Sequence, residues 1–323
     1  MTSTVEPRLG WIGLGSMGRA MAINIQKHLK QKQLPPLKYW NRTISRGDAV
    51  KDEGGIPSQS IAELSQNSDI VFISVSDDRV LEEVITLIIQ SGPITSKTFV
   101  DTTTVHPSTT TSVAKLIEAQ SGIYIGAPVF GATPVAEAGQ LVMAVAGPPA
   151  AVQTISPFLK GVIARSVIEV GDEPHKALLL KTTSNYITGG FMYLLSEAHV
   201  LASKTGLPAD ALEALIEQNL GSYAHGVSKR LTSGVYCPAK GQSPYSGLEL
   251  GIKDVAHGVN MGKDADVRMR VGELYLDAAS EAKAFGDATE RKMDSSSVYG
   301  VVRQRAGLKF ETEIVQERDR KDS

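Results

Sequence analysis

Two patterns of hydrophobic and polar residues divide the chain into an amino-terminal and a carboxy-terminal part. From Arg8 to about Val170, short apolar runs rich in β-branched and aromatic residues alternate with segments of helical spacing. The runs predicted as strands are LGWIG (9–13), LKYWN (37–41), DIVFISV (69–75), TFVD (98–101), IYIGAPV (123–129) and LVMAVAG (141–147). The main predicted helices span 16–33, 78–90 and 107–120. Apolar strands that alternate with helices are typical of a doubly wound parallel sheet, so we predict an α/β domain.

The second part, after about Pro174, consists of long helical patterns. The clearest is HKALLLKTTSNYITGGFMYLLSEAHVLASKTGLP, which predicts a helix of about 28 residues, apolar on nearly every side and closed by Gly206 and Pro208. Such a helix is normally buried by other helices of its own subunit or of a partner. We therefore predict an all-α second domain and a homodimer formed through it. The expected limits are 1–176 for the α/β domain, 177–308 for the helical domain and 309–323 for a charged, mobile tail.

Composition and charge argue against several classes of binding partner, including nucleic acid, membranes and metal ions. The chain has 323 residues and a formal net charge of −2, which gives no field strong enough to attract nucleic acid or an anionic membrane. Its single cysteine, Cys237, excludes an internal disulfide, and no cluster of Cys, His or carboxylates indicates a metal site. Only MTSTVEP precedes the first predicted strand, and no apolar run approaches the roughly 20 residues of a membrane span. We expect a cytoplasmic protein that binds a small-molecule substrate.

A glycine-rich turn follows the first predicted strand. Gly13, Gly15 and Gly18 stand in G-x-G-x-x-G spacing, and the residues between them complete the turn: Leu14, Ser16 and Met17. In a dinucleotide-binding turn the first glycine permits a tight bend, the second lets the backbone approach a pyrophosphate, and the third lets the helix pack on the strand. The alternative is a glycine turn without a ligand. The surrounding α/β pattern favours the first interpretation and predicts a Rossmann-type domain.

The end of the second predicted strand bears on the choice of cofactor. NAD-specific sites commonly have Asp or Glu at this position, whereas an Arg nearby accommodates the 2′-phosphate of NADP. This chain has Asn41, Arg42 and Thr43 there. The pattern predicts a preference for NADP(H), with NAD(H) as the alternative if Arg42 is merely a solvated side chain.

The long predicted helix carries a candidate for the reaction. Lys181 and Asn185 are four residues apart, so on a helix they project from the same face. Burial lowers the pKa of a lysine, which would make Lys181 a proton donor and acceptor near neutral pH. The alternative is that Lys181 reaches solvent or pairs with a carboxylate.

Four motifs in order give the chain a resemblance to a known family. They are GWIGLGSMGRAM, GAPVFGATPVAEAG, LLLKTTSN and GIKDV. The chain from Leu9 to about Gln304 resembles the β-hydroxyacid dehydrogenases, a group that includes 3-hydroxyisobutyrate dehydrogenase, tartronate semialdehyde reductase and glyoxylate/succinic semialdehyde reductases. More distantly, it is similar to 6-phosphogluconate dehydrogenase.

The resemblance implies hydride transfer between a nicotinamide and the carbinol carbon of a small acid. It implies that Lys181 donates or removes the proton on the reacting oxygen and that Asn185 holds the substrate and the lysine. The positions matching the family's residues beside the cofactor are Val75, Ser76, Thr104 and Lys253. The positions matching its substrate-binding residues are Phe130, Gly131, Ala132 and Asp254.

The sequence departs from the family pattern at two places. The substrate loop usually has a serine and two glycines after A-P-V, whereas this chain has Phe130, Gly131 and Ala132. The glycines that usually precede the catalytic lysine are absent, and His175 there faces either the site or solvent. These departures keep two alternatives open: reduction of an imine or of a bulkier aldehyde or ketone, and a cofactor-binding protein without turnover. Imine reductases of this architecture usually have Asp or Tyr in place of the lysine, so Lys181 argues against that activity.

Overall fold

The computed structural model of the protein describes residues 6–321. These residues form two compact units, which divide after Lys181, so that the described parts are 6–181 and 182–321. The strands, all in the first unit, are β1 Leu9–Ile12, β2 Lys38–Trp40, β3 Ile56–Pro57, β4 Ile70–Ile73, β5 Thr98–Asp101, β6 Ile123–Gly126, β7 Val129–Phe130, β8 Leu141–Ala146 and β9 Ala164–Gly171. The helices of the first unit are α1 Ser16–Lys32, α2 Asp48–Asp52, α3 Ile61–Gln66, α4 Asp78–Gln90, α5 Pro107–Glu118, α6 Thr133–Glu137 and α7 Pro149–Ile155.

A mixed sheet organises the first unit. The order β3-β2-β1-β4-β5-β6 is parallel throughout, β8 runs antiparallel to β6 and β7, and β9 is parallel to β8. Ile12 lies opposite Trp40 and Ile73, and Ile73 lies opposite Asp101. The carboxyl ends of β2, β1, β4 and β5 therefore meet at one edge of the sheet, where ligands bind in open α/β folds.

Helices cover both faces of this sheet, as the apolar strands predict. Trp11 and Phe72 belong to one apolar cluster, in which their rings stack with centroids 5.4 Å apart, while Ile12 and Ile73 belong to another. Successive residues of a strand point to opposite faces, so each of these strands supplies both clusters. The predicted doubly wound α/β fold is confirmed.

The structure refines the predicted elements. Helix α4 and strand β5 have the predicted limits, and the other shared elements shift by one or two residues at their ends. The run IYIGAPV instead divides into β6 and the start of β7. Strand β9 was absent from the prediction, because its residues are mostly exposed or half-buried and lack a simple apolar pattern.

Long helices form the second unit, as predicted. Helix α8, His175–Thr205, crosses the boundary between the units. It is followed by α9 Ala209–Leu215, one stretch of π-helix Ile216–Leu220, α10 Gly221–Thr232, α11 Leu248–Asp264, α12 Arg270–Thr289, α13 Val298–Arg305 and α14 Glu313–Lys321. None of the helices within residues 6–321 combines the length and apolar character that crossing a membrane requires.

The expectation of a mobile tail over 309–323 is wrong for residues 309–321. Phe310 is buried, and its ring stacks on that of Phe285 with centroids 3.7 Å apart. Val315 of α14 is fully buried, and Arg291 forms an ion pair with Asp319 at 2.6 Å. Two buried apolar residues, Phe310 and Val315, hold this segment against the second unit. Because the other residues are mostly polar or charged, composition alone predicts a tail.

Candidate active site

The glycine turn between β1 and α1 is built for close approach of a ligand. Gly13 has φ +94°, and a Cβ on it would lie 2.1 Å from the carbonyl oxygen of Ser74. A Cβ on Gly18 would lie 2.3 Å from the carbonyl oxygen of Gly13. A Cβ on Gly15, by contrast, would meet no atom within 4 Å. The turn therefore requires glycine at positions 13 and 18. Gly15 borders an open space, which we call the cradle.

A side chain of β1 and one that directly follows β2 hold this turn in place. The indole of Trp11 donates to the carbonyl oxygen of Gly13 at 2.8 Å. The side-chain oxygen of Asn41 accepts from the amide of Leu14 at 2.8 Å, and its side-chain nitrogen donates to the carbonyl oxygen of Thr43 at 2.7 Å. Leu14 itself is buried in the core, so its place is to support the turn. Sequence reasoning missed Trp11, although a buried indole N–H must find an acceptor.

The amino terminus of α1 faces the same open space. Helix α1 begins at Ser16, its N-cap residue Gly15 offers no side-chain bond, and its first turn has no acidic residue. Ser16 is exposed and Met17 is half-buried. Uncapped amides and the positive end of the helix dipole favour a phosphate group at this position. The turn, the cradle and the helix end thus fit the pyrophosphate of a dinucleotide.

Two cationic side chains follow β2 at the same edge of the sheet. Arg42 and Thr43 directly succeed Asn41 and are exposed, and Arg46 is exposed in the following 3₁₀ turn Ile44–Gly47. The residue that directly follows β2 is Asn41, which is neutral and hydrogen-bonds to the glycine turn, so this position carries no carboxylate. This edge therefore offers guanidinium groups to an anion.

The loops after β4 and β5 bring together the residues predicted beside the cofactor. The amide of Val75 donates to the hydroxyl of Thr103 at 3.2 Å, which ties the two loops to each other. Ser76 is exposed and donates to the carboxylate of Asp77 at 2.6 Å, while Thr104 is half-buried. Both loops lie at the edge where β1 ends, as the sheet order requires.

The segment predicted to hold substrate lies beside the glycine turn. Gly131 follows β7 with φ +133°, and a Cβ there would lie 2.7 Å from Leu141, so only glycine fits. Ala132 precedes α6, in which the hydroxyl of Thr133 lies 3.8 Å from the sulfur of Met17. The ammonium of Lys181 lies over the ring of Phe130, 5.0 Å from its centroid. Lys181 is half-buried, in partial agreement with the burial predicted for it.

The second unit places three further predicted residues in one polar cluster. The side-chain nitrogen of Asn185 donates to Asp254 at 2.9 Å, and the ammonium of Lys253 lies 3.2 Å from the other carboxylate oxygen of Asp254. The side chains of Lys253 and Asp254 are each about one-fifth exposed, at 22% and 23%. Asp254 therefore orients both an amide and an ammonium group, a relationship that the motif alone did not reveal.

Two remaining questions from the sequence concern His175 and metals. The ring of His175 lies 3.8 Å from Glu173 and its side chain is 28% exposed, so it is neither buried in the site nor fully solvated. Within the described residues 6–321, no group of three or more His, Cys, Asp or Glu side chains is arranged to hold a metal ion.

Comparison with known proteins identifies the family. Residues 8–171 match the family described as the NAD binding domain of 6-phosphogluconate dehydrogenase. The chain is 30% identical over 312 residues to 2-(hydroxymethyl)glutarate dehydrogenase of Eubacterium barkeri, covering 93% of this chain and 96% of the relative. It is 26% identical over 302 residues to NADH-dependent oxidoreductase ucdB of Aspergillus ustus, covering 92% and 99%.

A solved structure shows the same fold. It is 3-hydroxyisobutyrate dehydrogenase of Mycobacterium tuberculosis with L-serine, which has a TM-score of 0.76 and 21% identity, covering 93% of this chain and 100% of that one. The matched NAD-binding domain, the relatives along nearly the whole chain and the geometry of the glycine turn agree. The chain therefore belongs to the β-hydroxyacid dehydrogenase family, the group similar to 3-hydroxyisobutyrate dehydrogenase, and is an NAD(P)-binding oxidoreductase of that family.

Proposed function

We propose that the protein is an NADP(H)-dependent oxidoreductase that interconverts a small carbonyl compound and its alcohol or hydroxyacid, with Lys181 as general acid and base. The observation that carries this proposal is the position of Lys181 over Phe130 at 5.0 Å. Phe130 belongs to the segment that reaches Met17 of the glycine turn through Thr133. This arrangement supports a proton donor on the same side of the first unit as the dinucleotide cradle.

The chemistry assigned to the protein is proton transfer at the reacting oxygen. A bound nicotinamide supplies the hydride for reduction and accepts it in oxidation. Lys181 donates a proton from its ammonium to the carbonyl oxygen during reduction and removes the hydroxyl proton during oxidation. A positioned acid or base of this kind contributes about 10²- to 10⁴-fold to the rate.

Asn185 and the cluster around Asp254 are proposed to orient the substrate. Because the side-chain nitrogen of Asn185 donates to Asp254, its carbonyl oxygen is the atom directed to a substrate hydroxyl. The ammonium of Lys253, paired with Asp254, is assigned to the nicotinamide side of the site.

Phe130 is proposed to select a substrate larger or less acidic than a short hydroxyacid. A phenyl ring cannot donate a hydrogen bond to a carboxylate, and it adds apolar surface to the pocket. Among carbonyl compounds, we therefore expect better turnover with larger or less acidic ones, and reduction of a bulkier aldehyde or ketone is an alternative to the small hydroxyacid chemistry. Imine reduction is the alternative that a substrate panel must include.

The preference for NADP(H) is proposed from the end of β2. Asn41 carries no charge that would repel a 2′-phosphate, and the exposed guanidiniums of Arg42 and Arg46 can bind one with charge assistance. The name of the Aspergillus ustus relative assigns NADH to that protein, so direct titration of this protein with both cofactors decides the matter.

A homodimer is proposed through α8 and α12. The sequence predicts that α8 is buried by helices of its own subunit or of a partner, and in the single chain Ile187, Leu194 and Leu201 are 49%, 59% and 64% exposed. They recur every seven residues and lie along one side of a helix of 31 residues. Leu194 of this stripe also lines an apolar groove of about 290 Å³. The groove is further lined by Phe191 of α8 and by Val271 and Leu274 of α12. In a symmetric dimer, α8 of a second copy would run antiparallel to α8 of the first. The apolar stripe of each copy would then be covered by that of the other.

Turnover of cofactor tests the proposed function. NADPH oxidation is measured with a panel of short semialdehydes, larger aldehydes, ketones and imines, for the wild type and for Lys181→Ala and Lys181→Arg. We expect turnover with a carbonyl compound, lowered by about 10²-fold or more in Lys181→Ala, with cofactor affinity nearly unchanged. Tight cofactor binding without turnover on the whole panel would indicate a non-catalytic binding protein, and near wild-type rates for Lys181→Ala would refute the role of the lysine.

A further inference from the structure

A buried carboxyl group lies at the carboxyl end of β5, at the edge of the sheet where the cofactor is proposed to bind. Asp101 is the last residue of β5 and is fully buried. The hydroxyl of Tyr124, also fully buried, donates to one of its oxygens at 2.8 Å, and the amide of Thr103 donates to the other at 2.9 Å. Tyr124 stands on the neighbouring strand β6, so the carboxyl group joins β6 to the loop that follows β5.

The contacts of Asp101 continue into the neighbouring loop. The hydroxyl of Thr103, whose amide is bound by Asp101, accepts from the amide of Val75 at 3.2 Å. Thr102 makes a second link, because its amide donates to the carbonyl oxygen of Ile73 at 2.8 Å. The hydrogen bonds of Asp101 thus continue through Thr103 to Val75, and Thr103 directly precedes Thr104. Val75 and Thr104 are positions assigned to the cofactor.

The electrostatics of this group are unusual for an aspartate. Burial raises the pKa of Asp101 to about 6, against the opposing effect of its hydrogen bonds from Thr103 and Tyr124, and Asp78 raises it further. Burial and Asp101 hold the pKa of Tyr124 well above its usual value, so the phenol keeps its proton. The charged and titratable groups on the adjoining segments include Asp77, which accepts from Ser76 at 2.6 Å, Asp78, which accepts from the amide of His106 at 2.8 Å, and His106 itself.

Protonation of this carboxyl group would change its contacts. The ionised group accepts through both oxygens, whereas the protonated group carries an O–H that needs an acceptor of its own. The bond with Tyr124 can reverse its direction, but the amide of Thr103 can only donate, and its bond to a neutral acceptor is weaker than its bond to a carboxylate. The arrangement of the two loops is therefore tied to the charge on one buried group.

We propose that Asp101 is a positioning residue whose ionised carboxylate, through Thr103, holds the loops 74–76 and 102–104 in the arrangement that receives the cofactor. This inference rests on the proposed function, because it takes those loops as part of the cofactor site. It assigns to Asp101 a pH-dependent control of cofactor affinity without contact between Asp101 and the cofactor.

Two measurements on Asp101→Asn and Tyr124→Phe test the proposal, with Asp69→Asn as the matched control. Asp69 precedes β4 at the opposite edge of the sheet and pairs with Arg8 at 2.7 Å. The first measurement is amide hydrogen exchange of the free protein. Relative to the intrinsic exchange rate at each pH, we expect lower protection at Val75 and Thr103 in Asp101→Asn, and in the wild type below about pH 6, with no change in Asp69→Asn.

The second measurement is the affinity for NADPH between pH 5.5 and 8, followed by fluorescence. Protonation of Asp101, with its pKa of about 6, should make wild-type affinity fall about three- to fourfold between pH 8 and pH 5.5. Asp101→Asn should bind more weakly than the wild type by a similar factor at pH 8. It should keep only the pH dependence that comes from the 2′-phosphate of NADPH, which itself titrates near pH 6, whereas Asp69→Asn should follow the wild type. Wild-type exchange at Val75 and Thr103 in Asp101→Asn, or wild-type affinity with an unchanged pH profile, would overturn the proposal. If exchange responds as expected but no nicotinamide dinucleotide binds even the wild type, the loop-positioning role stands and the proposed function fails.

Discussion

The ammonium of Lys181 lies over the aromatic face of Phe130, 5.0 Å from the ring centroid. The residue that departs from the family pattern therefore contacts the residue that is proposed to move the proton. An aromatic face attracts a cation with about 0.5 to 2 kcal/mol, depending on how far the pair is desolvated. The ring of Phe130 is thus placed to stabilise the charged form of the lysine.

Replacement of Phe130 by leucine should change the pH profile of the reaction. Leucine keeps apolar bulk but removes the ring that favours the ammonium, so the neutral amine becomes relatively more stable. We expect the basic limb of the reductive rate profile to move to lower pH by about 0.4 to 1.5 units. Phe130→Tyr, which keeps the aromatic face, serves as the control. Identical profiles for the wild type and Phe130→Leu would show that the ring does not act on the lysine.

Replacement of Phe130 by serine should shift substrate preference. The serine hydroxyl restores a donor for a carboxylate, so Phe130→Ser should gain kcat/KM on 3-hydroxyisobutyrate and lose it on larger carbonyl compounds. A change of about tenfold in the ratio is expected from one hydrogen bond to a charged group. Steady-state kinetics on both substrate classes measure it. Efficient oxidation of 3-hydroxyisobutyrate by the wild type would contradict the proposed role of Phe130.

Replacement of Arg42 by alanine should separate the two cofactors. A charge-assisted hydrogen bond to the 2′-phosphate is worth about 1.5 to 3 kcal/mol, or about 10- to 150-fold in affinity. Arg42→Ala should weaken NADPH binding by that factor and leave NADH binding nearly unchanged. Lys32→Ala, which removes a charge from the far end of α1, is the control. A variant that loses affinity for both cofactors alike would show that Arg42 does not bind the phosphate.

Replacement of Leu194 by glutamate should dissociate the proposed dimer. Light scattering is expected to give twice the chain mass of 34.5 kDa for the wild type and the single value for Leu194→Glu. Leu116→Glu alters a leucine of similar exposure, 50%, on α5 of the first unit and should remain dimeric. A wild-type protein with the mass of one chain would refute the proposed contact.

The unfolding free energy should depend on pH through Asp101. Its folded pKa of about 6 lies above its usual value of 3.8, so the folded state holds this proton more tightly than the unfolded state. The associated stabilisation is fully present below about pH 4 and is lost as pH rises through 6. We expect the stability of the wild type relative to Asp101→Asn to fall by about 2 to 3 kcal/mol between pH 4.5 and 7.5.

Urea denaturation at these two pH values measures that difference. The stability of the wild type relative to Asp69→Asn should show no such fall. The hydrogen bond from Arg8 lowers the pKa of Asp69, and stabilisation of that kind is already present above the unfolded pKa. A relative stability of Asp101→Asn that does not change with pH would indicate an ordinary pKa for Asp101.

Much of the fold is encoded in local patterns. The glycine turn, the apolar strands β1, β4 and β5 and the helix α4 were predicted, because each depends on residues close together in sequence. Helix α4 even has a local start signal, since the carboxylate of Asp77 accepts from the amide of Val80. The motifs around Lys181 and Lys253 likewise occupy short segments, and these sufficed to indicate the family.

Only the tertiary structure decided how distant residues serve the site. Trp11 supports Gly13 because the strand holds a buried indole against the turn. Asp101 meets Tyr124, 23 residues away, and Asn185 meets Asp254, 69 residues away. The anchoring of α14 by Val315 was hidden in a charged segment. Periodicity reports which face of an element is apolar, but strand order and helix packing determine which side chains from separate elements come within hydrogen-bonding distance.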